Sequence, residues 1–154
     1  GCERGGMGVL GGLFGDETER VGLFVDGPNV LRAEFDVDLD DLRAIAADEG
    51  APAITRLYLD EHATPELIQA AEARGFDVVT TSGDVDVRLA VDATAAAAKG
   101  TIDVVVIASR DADFKPVVER AAEEGLRTVA IAPGEYGRSD ALRNAAQHAV
   151  TMDE

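Results

Sequence analysis

VGLFVDGPNV, residues 21–30, decides how this chain is read. Val21 to Val25 form a short apolar run, and turn chemistry follows at once in Asp26, Gly27 and Pro28. A short apolar run bounded by turn residues marks a buried strand. Pro28 suits the first turn of a helix, where the N–H it lacks would be unpaired anyway. A short helix is therefore expected over 28–34. An aspartate closing a buried strand is costly unless it is paired or used, so Asp26 is the first candidate for function.

Outward from this stretch the chain alternates in type. Asp38 and Asp40 are helix-start signals for LDDLRAIAADEG, which closes at Gly50. AITRLYLD (53–60) reads as a second strand, Thr64 caps PELIQAAEARG, and FDVVTT (76–81) is a third strand. A helix is expected over about 86–99, and its almost wholly apolar stretch from Val87 to Ala98 suggests deep packing. IDVVVIAS (102–109) is the most apolar strand and so the expected centre of the sheet. FKPVVERAAEEG is a helix closing at Gly125, LRTVAIA (126–132) a fifth strand, DALRNAAQ a helix, and HAVTM a short edge strand.

Val/Ile-rich strands alternating with helices imply a mostly parallel sheet covered on both faces, a three-layer α/β/α sandwich. Right-handed crossovers leave few topologies, and the order 3-2-1-4-5 is expected. Residues 1–20, rich in glycine and without periodicity, read as a flexible leader, and 21–154 as one domain.

Composition narrows the function classes. The 154 residues carry a formal net charge of −16, with 14 basic residues of which only Lys99 and Lys115 are lysines. Acidic excess with scarce lysine resembles proteins of salt-accumulating halophiles; an ordinary acidic protein is the alternative. Such a surface repels nucleic acid at low salt, yet a local site still binds it once salt screens the rest. No apolar run approaches the ~18 residues a membrane helix needs, and no secretory signal is visible. No membrane partner and a cytoplasmic location are expected. The single cysteine, Cys2, rules out a disulfide within the chain.

Four segments set polar residues at strand carboxyl ends: FVDGPNV with Asp26 and Asn29, TSGDVDVRLAVDA with Asp84, Asp86 and Asp92, ASRDADF with Ser109, Asp111 and Asp113, and APGEYGRSD with Glu135, Arg138 and Ser139. If strands 1 and 4 are neighbours, their ends lie ~4.8 Å apart, at the reversal point where such sheets bind ligands. Asp26 and Asp111 then enter one crevice. Clustered carboxylates raise one another's pKa unless a cation neutralises them, and hard oxygen ligands suit Mg²⁺ or Mn²⁺. His62 and His148 lie outside these motifs, which argues against zinc.

Several residues keep a second reading. Asp84 is favoured as a helix cap and Asp86 as a site residue. Asp92 either joins the pocket or pairs with Arg88 at i,i+4. Asp113 either caps the next helix or reaches the pocket. Ser109 is expected as a donor behind the carboxylates. Arg88, Lys99, His62 and His148 read as solvated surface residues. Other acidic α/β sites fit less well. Haloacid-dehalogenase-type phosphatases need Asp-x-Asp after strand one, where position 28 is Pro. A receiver domain needs an acidic pair at its first strand, and a dinucleotide fold needs Gly-x-Gly-x-x-Gly. No serine or cysteine nucleophile constellation is present.

VDGPNV, GDVDVRLAVDA and SRDADFKPVVERAAEEG, followed by a strand and SDALRNAA, resemble the NYN domain of the PIN-like nuclease superfamily. The resemblance lies in its LabA-like branch, to archaeal members in particular, over about residues 20–153. It implies the 3-2-1-4-5 sheet and an acidic pocket that binds Mg²⁺ or Mn²⁺ and cleaves RNA, single-stranded or structured. The carried-over residues are Asp26, Asn29, Asp86, Asp111 and Asp113, with Asp92 matching less well. Arg110 departs from the pattern, which usually has a small residue there. Arg110, Lys115 and Arg138 are candidate phosphate contacts. A non-catalytic metal- or RNA-binding regulatory module and a small phosphoester hydrolase remain alternatives, and a homodimer stays open.

Overall fold

The structure, a computed structural model, describes residues 18–31, 37–133 and 140–152. The chain runs β1 (Arg20–Asp26), α1 (Gly27–Val30), α2 (Leu39–Ala47), β2 (Ala51–Leu59), α3 (Pro65–Ala73), β3 (Asp77–Thr80) and α4 (Val85–Lys99). It continues through β4 (Val104–Ala108), a 3-10 turn at Ala112–Phe114, α5 (Lys115–Glu123), β5 (Arg127–Ala132), α6 (Asp140–Ala145) and β6 (His148–Thr151). The six strands lie in the order β3-β2-β1-β4-β5-β6, and each neighbouring pair is parallel. The expected order holds, and β6 is the expected edge strand. Most of the leader, residues 1–17, lies outside the described residues, as do 32–34 of the first expected helix.

Alternation along the strands divides two cores. Val21, Leu23 and Val25 of β1 and Val104, Val106 and Ala108 of β4 face α2 and α3. Phe24, Tyr58, Val105 and Ile107 face α4 and α5 instead. All five residues of β4 are buried, as its composition demanded. Each fully buried Val, Leu or Phe contributes roughly 1.5–3 kcal/mol by leaving water. The caps follow the sequence: Asp38 accepts from the Asp40 amide at 2.8 Å and Thr64 from the Leu67 amide at 3.2 Å.

One expectation is corrected. α4 is not packed all round: Val87 is 57% and Val91 59% exposed, while Leu89, Ala93, Ala96 and Ala97 turn inward. Its apolar composition exceeds what the domain itself buries. Among the described residues no helix is long and apolar enough to cross a membrane.

At the amino ends of the strands, acids meet arginines. Arg20 Nε lies 3.1 Å from Asp103, and Arg127 bridges Glu19 and Glu49 at 2.8 Å each. These pairs tie the chain entering β1 to the starts of β4 and β5.

Candidate metal centre at the strand carboxyl ends

Parity fixes which way the site residues face. Asp26 follows Phe24 by two positions, so it lies on the α4 side of the sheet, where the chain reverses between β1 and β4. Ser109, two beyond Ile107, lies on the same side. The Ser109 hydroxyl donates to Asp26 Oδ2 at 3.3 Å, and the Asp111 amide donates to Ser109 Oγ at 3.0 Å. Ser109 thus links the ends of two neighbouring strands.

The turn after Asp26 is packed against β2. A Cβ on Gly27 would collide with the Tyr58 carbonyl oxygen and the Leu59 side chain, so only glycine lets α1 start there. The side-chain oxygen of Asn29 is buried with no hydrogen-bond partner.

Asp111 organises the third segment. Its Oδ1 accepts from the Asp113 amide at 2.9 Å and starts the 3-10 turn. Asp113 does not cap α5, whose N-cap position is Phe114 with no side-chain capping bond; Asp111 caps the 3-10 turn before it. Asp84 occupies the N-cap position of α4, but its side chain makes no capping bond and its backbone is left-handed, with φ 49°. That conformation is uncommon for a residue with a Cβ.

Asp26, Asn29, Asp86 and Asp111 line one open pocket of about 280 Å³, together with Asp60 and Asp84. One carboxylate oxygen from each of Asp86, Asp111 and Asp113 lies within 4.8 Å of the others. Asp26 is only 4% exposed and sits deeper. Burial raises its pKa from 3.8 to about 6; the Ser109 hydroxyl opposes the rise, and the charges of Asp111 and Asp86 add to it. None of the pocket carboxylates is ion-paired with a described arginine or lysine. A divalent ion with oxygen ligands fits this donor set: three carboxylates within reach of one centre, a buried fourth beside them, and an orphaned amide oxygen on the wall.

Asp60 was not singled out from the sequence. Two residues past Tyr58 on the strand next to β1, it could have been found by the same parity. Its Oδ1 accepts from the His62 amide at 2.9 Å. Of the two readings of Asp92, the structure shows the pair with Arg88 at i,i+4, and Asp92, named with the site residues, does not line the pocket. Asp92 lies six residues beyond Asp86, ~9 Å along the helix axis, and faces β2. It accepts from the Tyr58 hydroxyl at 2.8 Å and from Arg88 Nε at 3.2 and 3.3 Å, with Arg56 at 3.7 Å. Burial, then the bond to Asp92, pushes the Tyr58 phenol above its ordinary range.

Of the candidate phosphate contacts, Lys115 is exposed and 3.9 Å from Glu119, and Arg110 is half-buried directly after Ser109. Arg138 lies outside the described residues, as do Glu135 and Ser139.

Comparison with known proteins meets this geometry. The family model of the NYN domain matches residues 20–153. An uncharacterized protein of Methanocaldococcus jannaschii, MJ0482, is 41% identical over 135 residues, covering 88% of this chain and 56% of that relative. The chain thus spans little more than half the length of the curated relative it matches. The crystal structure of a protein of unknown function from Vibrio parahaemolyticus, VPA0982, matches with a TM-score of 0.78. The two are 23% identical over 90% of this chain and 96% of that one, a likeness of fold alone. With a matched family model over nearly all of its length and an acidic pocket at the reversal point of its sheet, this chain belongs to the NYN-domain family of the PIN-like nuclease superfamily.

Proposed function

We propose that this chain is a metal-dependent ribonuclease that hydrolyses RNA phosphodiesters at the acidic pocket. The observation that carries the reading is the convergence of Asp86, Asp111 and Asp113 beside buried Asp26, with no described cation paired to them. Carboxylates held this close, without a described basic partner, repel one another, and a cation removes that cost. This favours an active centre over a module that has lost turnover.

Mg²⁺ or Mn²⁺, when bound, lowers the pKa of a water and offsets charge on the phosphodiester. Asp26, Asp86, Asp111 and Asp113 would hold the ion, the last three with an oxygen each within 4.8 Å of the others. Asp26 sits at the base of the pocket, where Ser109 orients its Oδ2. Asn29, whose buried side-chain oxygen has no partner, would accept a hydrogen bond from a donor on the substrate. In-line attack of water at phosphorus would break the P–O3′ bond, leaving a 5′-phosphate on one product and a 3′-hydroxyl, protonated from solvent, on the other. Arg110, Lys115 and Arg138 are phosphate contacts on the loops beside the crevice. The archaeal source of the 41% identical relative supports a placement among archaeal members; the LabA-like branch rests on the motif wording alone. The acidic, lysine-poor surface supports a salt-rich cytoplasm as its setting.

The test is cleavage of single-stranded RNA with Mn²⁺ in high salt. Wild type cuts and Asp111→Asn does not. Absence of cleavage by wild type with demonstrated Mn²⁺ binding overturns the enzyme reading. A small-substrate screen separates the alternative hydrolase: turnover of phosphomonoesters without cleavage of RNA would favour it.

A further inference from the structure

A second concave site lies on the same face of the sheet. α4 packs against β1 and leaves a groove of about 620 Å³ between itself and the outer strands β2 and β3. Arg56 and Val79 line it from the strands, and Arg88, Asp92 and Lys99 from the helix. Three of the chain's 14 basic residues therefore share one groove in a molecule of net charge −16.

The arrangement puts the positive charge outermost. The Asp92 side chain is only 18% exposed, against 34% for Arg56 and 52% for Arg88. Two guanidiniums share this one carboxylate, and the buried Tyr58 hydroxyl holds it from below. Lys99 adds a further exposed charge at the far end. Such forks bind phosphate oxygens bidentately. Global repulsion does not forbid this, because at physiological salt charges beyond ~8 Å are largely screened.

The groove and the acidic pocket are both built on α4 and on β2 and the residues just after it: Asp86 and Asp60 line the pocket, Arg88 and Arg56 the groove. Tyr58 is the register partner of Asp26 across β1 and β2. Arg88 follows Asp86 by two residues, ~3 Å along the helix axis but on a different face, and Lys99 lies ~20 Å from Asp86 along the helix. We infer that Arg88, Arg56 and Lys99 bind the backbone of a single RNA strand whose reacting phosphate lies at the acidic pocket, with Asp92 as a positioning residue for the two arginines. This inference rests on the nuclease reading for its ligand.

The experiment is fluorescence anisotropy of a labelled 12-nucleotide oligouridylate with the full chain in EDTA, where cleavage does not interfere. Wild type binds, and replacing Arg88→Gln and Lys99→Gln together weakens binding about tenfold at 0.15 M salt. The slope of log affinity against log salt falls by about 1.4, the value for two lost single-strand contacts. A control pair with the same charge change elsewhere, Arg74→Gln with Arg120→Gln, stays within twofold. Asp92→Asn raises KM for cleavage more than it lowers kcat, which a purely structural role would not do. Unchanged binding in the Arg88/Lys99 pair, equal loss in the control pair, or competition by polyglutamate as strong as by unlabelled RNA overturns the groove. An Arg88/Lys99 pair that cuts RNA with wild-type KM overturns the groove and leaves the nuclease standing. Groove-dependent binding by a wild type that cuts nothing upholds the groove and overturns the nuclease.

Discussion

The two ends of the sheet treat negative charge in opposite ways. At the amino ends, Asp103, Glu19 and Glu49 are each matched by Arg20 or Arg127. At the carboxyl ends, Asp26, Asp86, Asp111 and Asp113 gather with no described arginine or lysine paired to them. The same residue types thus close the fold at one end and leave an unmet demand for cations at the other. Stability alone explains the first end and argues against the second, and that contrast is the physical ground for placing function at the carboxyl ends.

The contrast can be broken or sharpened by substitution. The largest effect is expected from Asp111→Asn, with RNA cleavage in Mn²⁺ falling at least about 100-fold, as for loss of a group that stabilises charge in the transition state. Residual cleavage near the wild-type level would separate the acidic cluster from catalysis. Next comes the cation itself. Mn²⁺ at about 100 times its Kd adds ~2.7 kcal/mol, raising Tm by about 5–10 °C in wild type. Calorimetry on Asp86→Asn with Asp113→Asn should show most of that rise gone.

A third effect depends on pH. The folded-state pKa of Asp26 is raised by burial to about 6 from 3.8. The native state therefore holds the proton more tightly than the unfolded one, and stability falls as pH rises between these values. In the metal-free protein, Asp26→Asn should stabilise by about 1–3 kcal/mol at pH 7.5 and by nothing at pH 3.5, as read from urea melts. Equal effects at both pH values would mean that charge is not the cause. The smallest effect belongs to the paired end. Arg127→Met should cost about 1 kcal/mol in low salt and less in 1 M salt, since its side chain is partly exposed.

Much of this was legible before any coordinates. Strand order followed from apolar runs and crossover handedness, and Asp26 and Asp111 stood out because strands 1 and 4 flank the reversal point. What escaped was set by direction around a helix and by residues far apart in sequence. Asp92 is turned to Tyr58 and Arg56, and no periodicity within 85–99 reveals those partners on β2. Val87 and Val91 read as core because an apolar residue does not state what covers it. Asp60 was hidden by attention to motifs, although its parity with Tyr58 places it beside the pocket. Asp84 looked like an ordinary cap because its left-handed backbone has no sequence signature outside glycine and asparagine.

Asp111 has two oxygens with separate duties. Oδ1 accepts the Asp113 amide and shapes the turn, while charge on the group serves the pocket. An asparagine keeps an oxygen for the turn and gives up only the charge. Aspartate and asparagine codons differ by a single base. If the chain is the ribonuclease proposed above, one point mutation converts it into one that folds the same way and no longer cuts. On that reading, an enzyme and a non-catalytic module of this scaffold are evolutionary next-door neighbours.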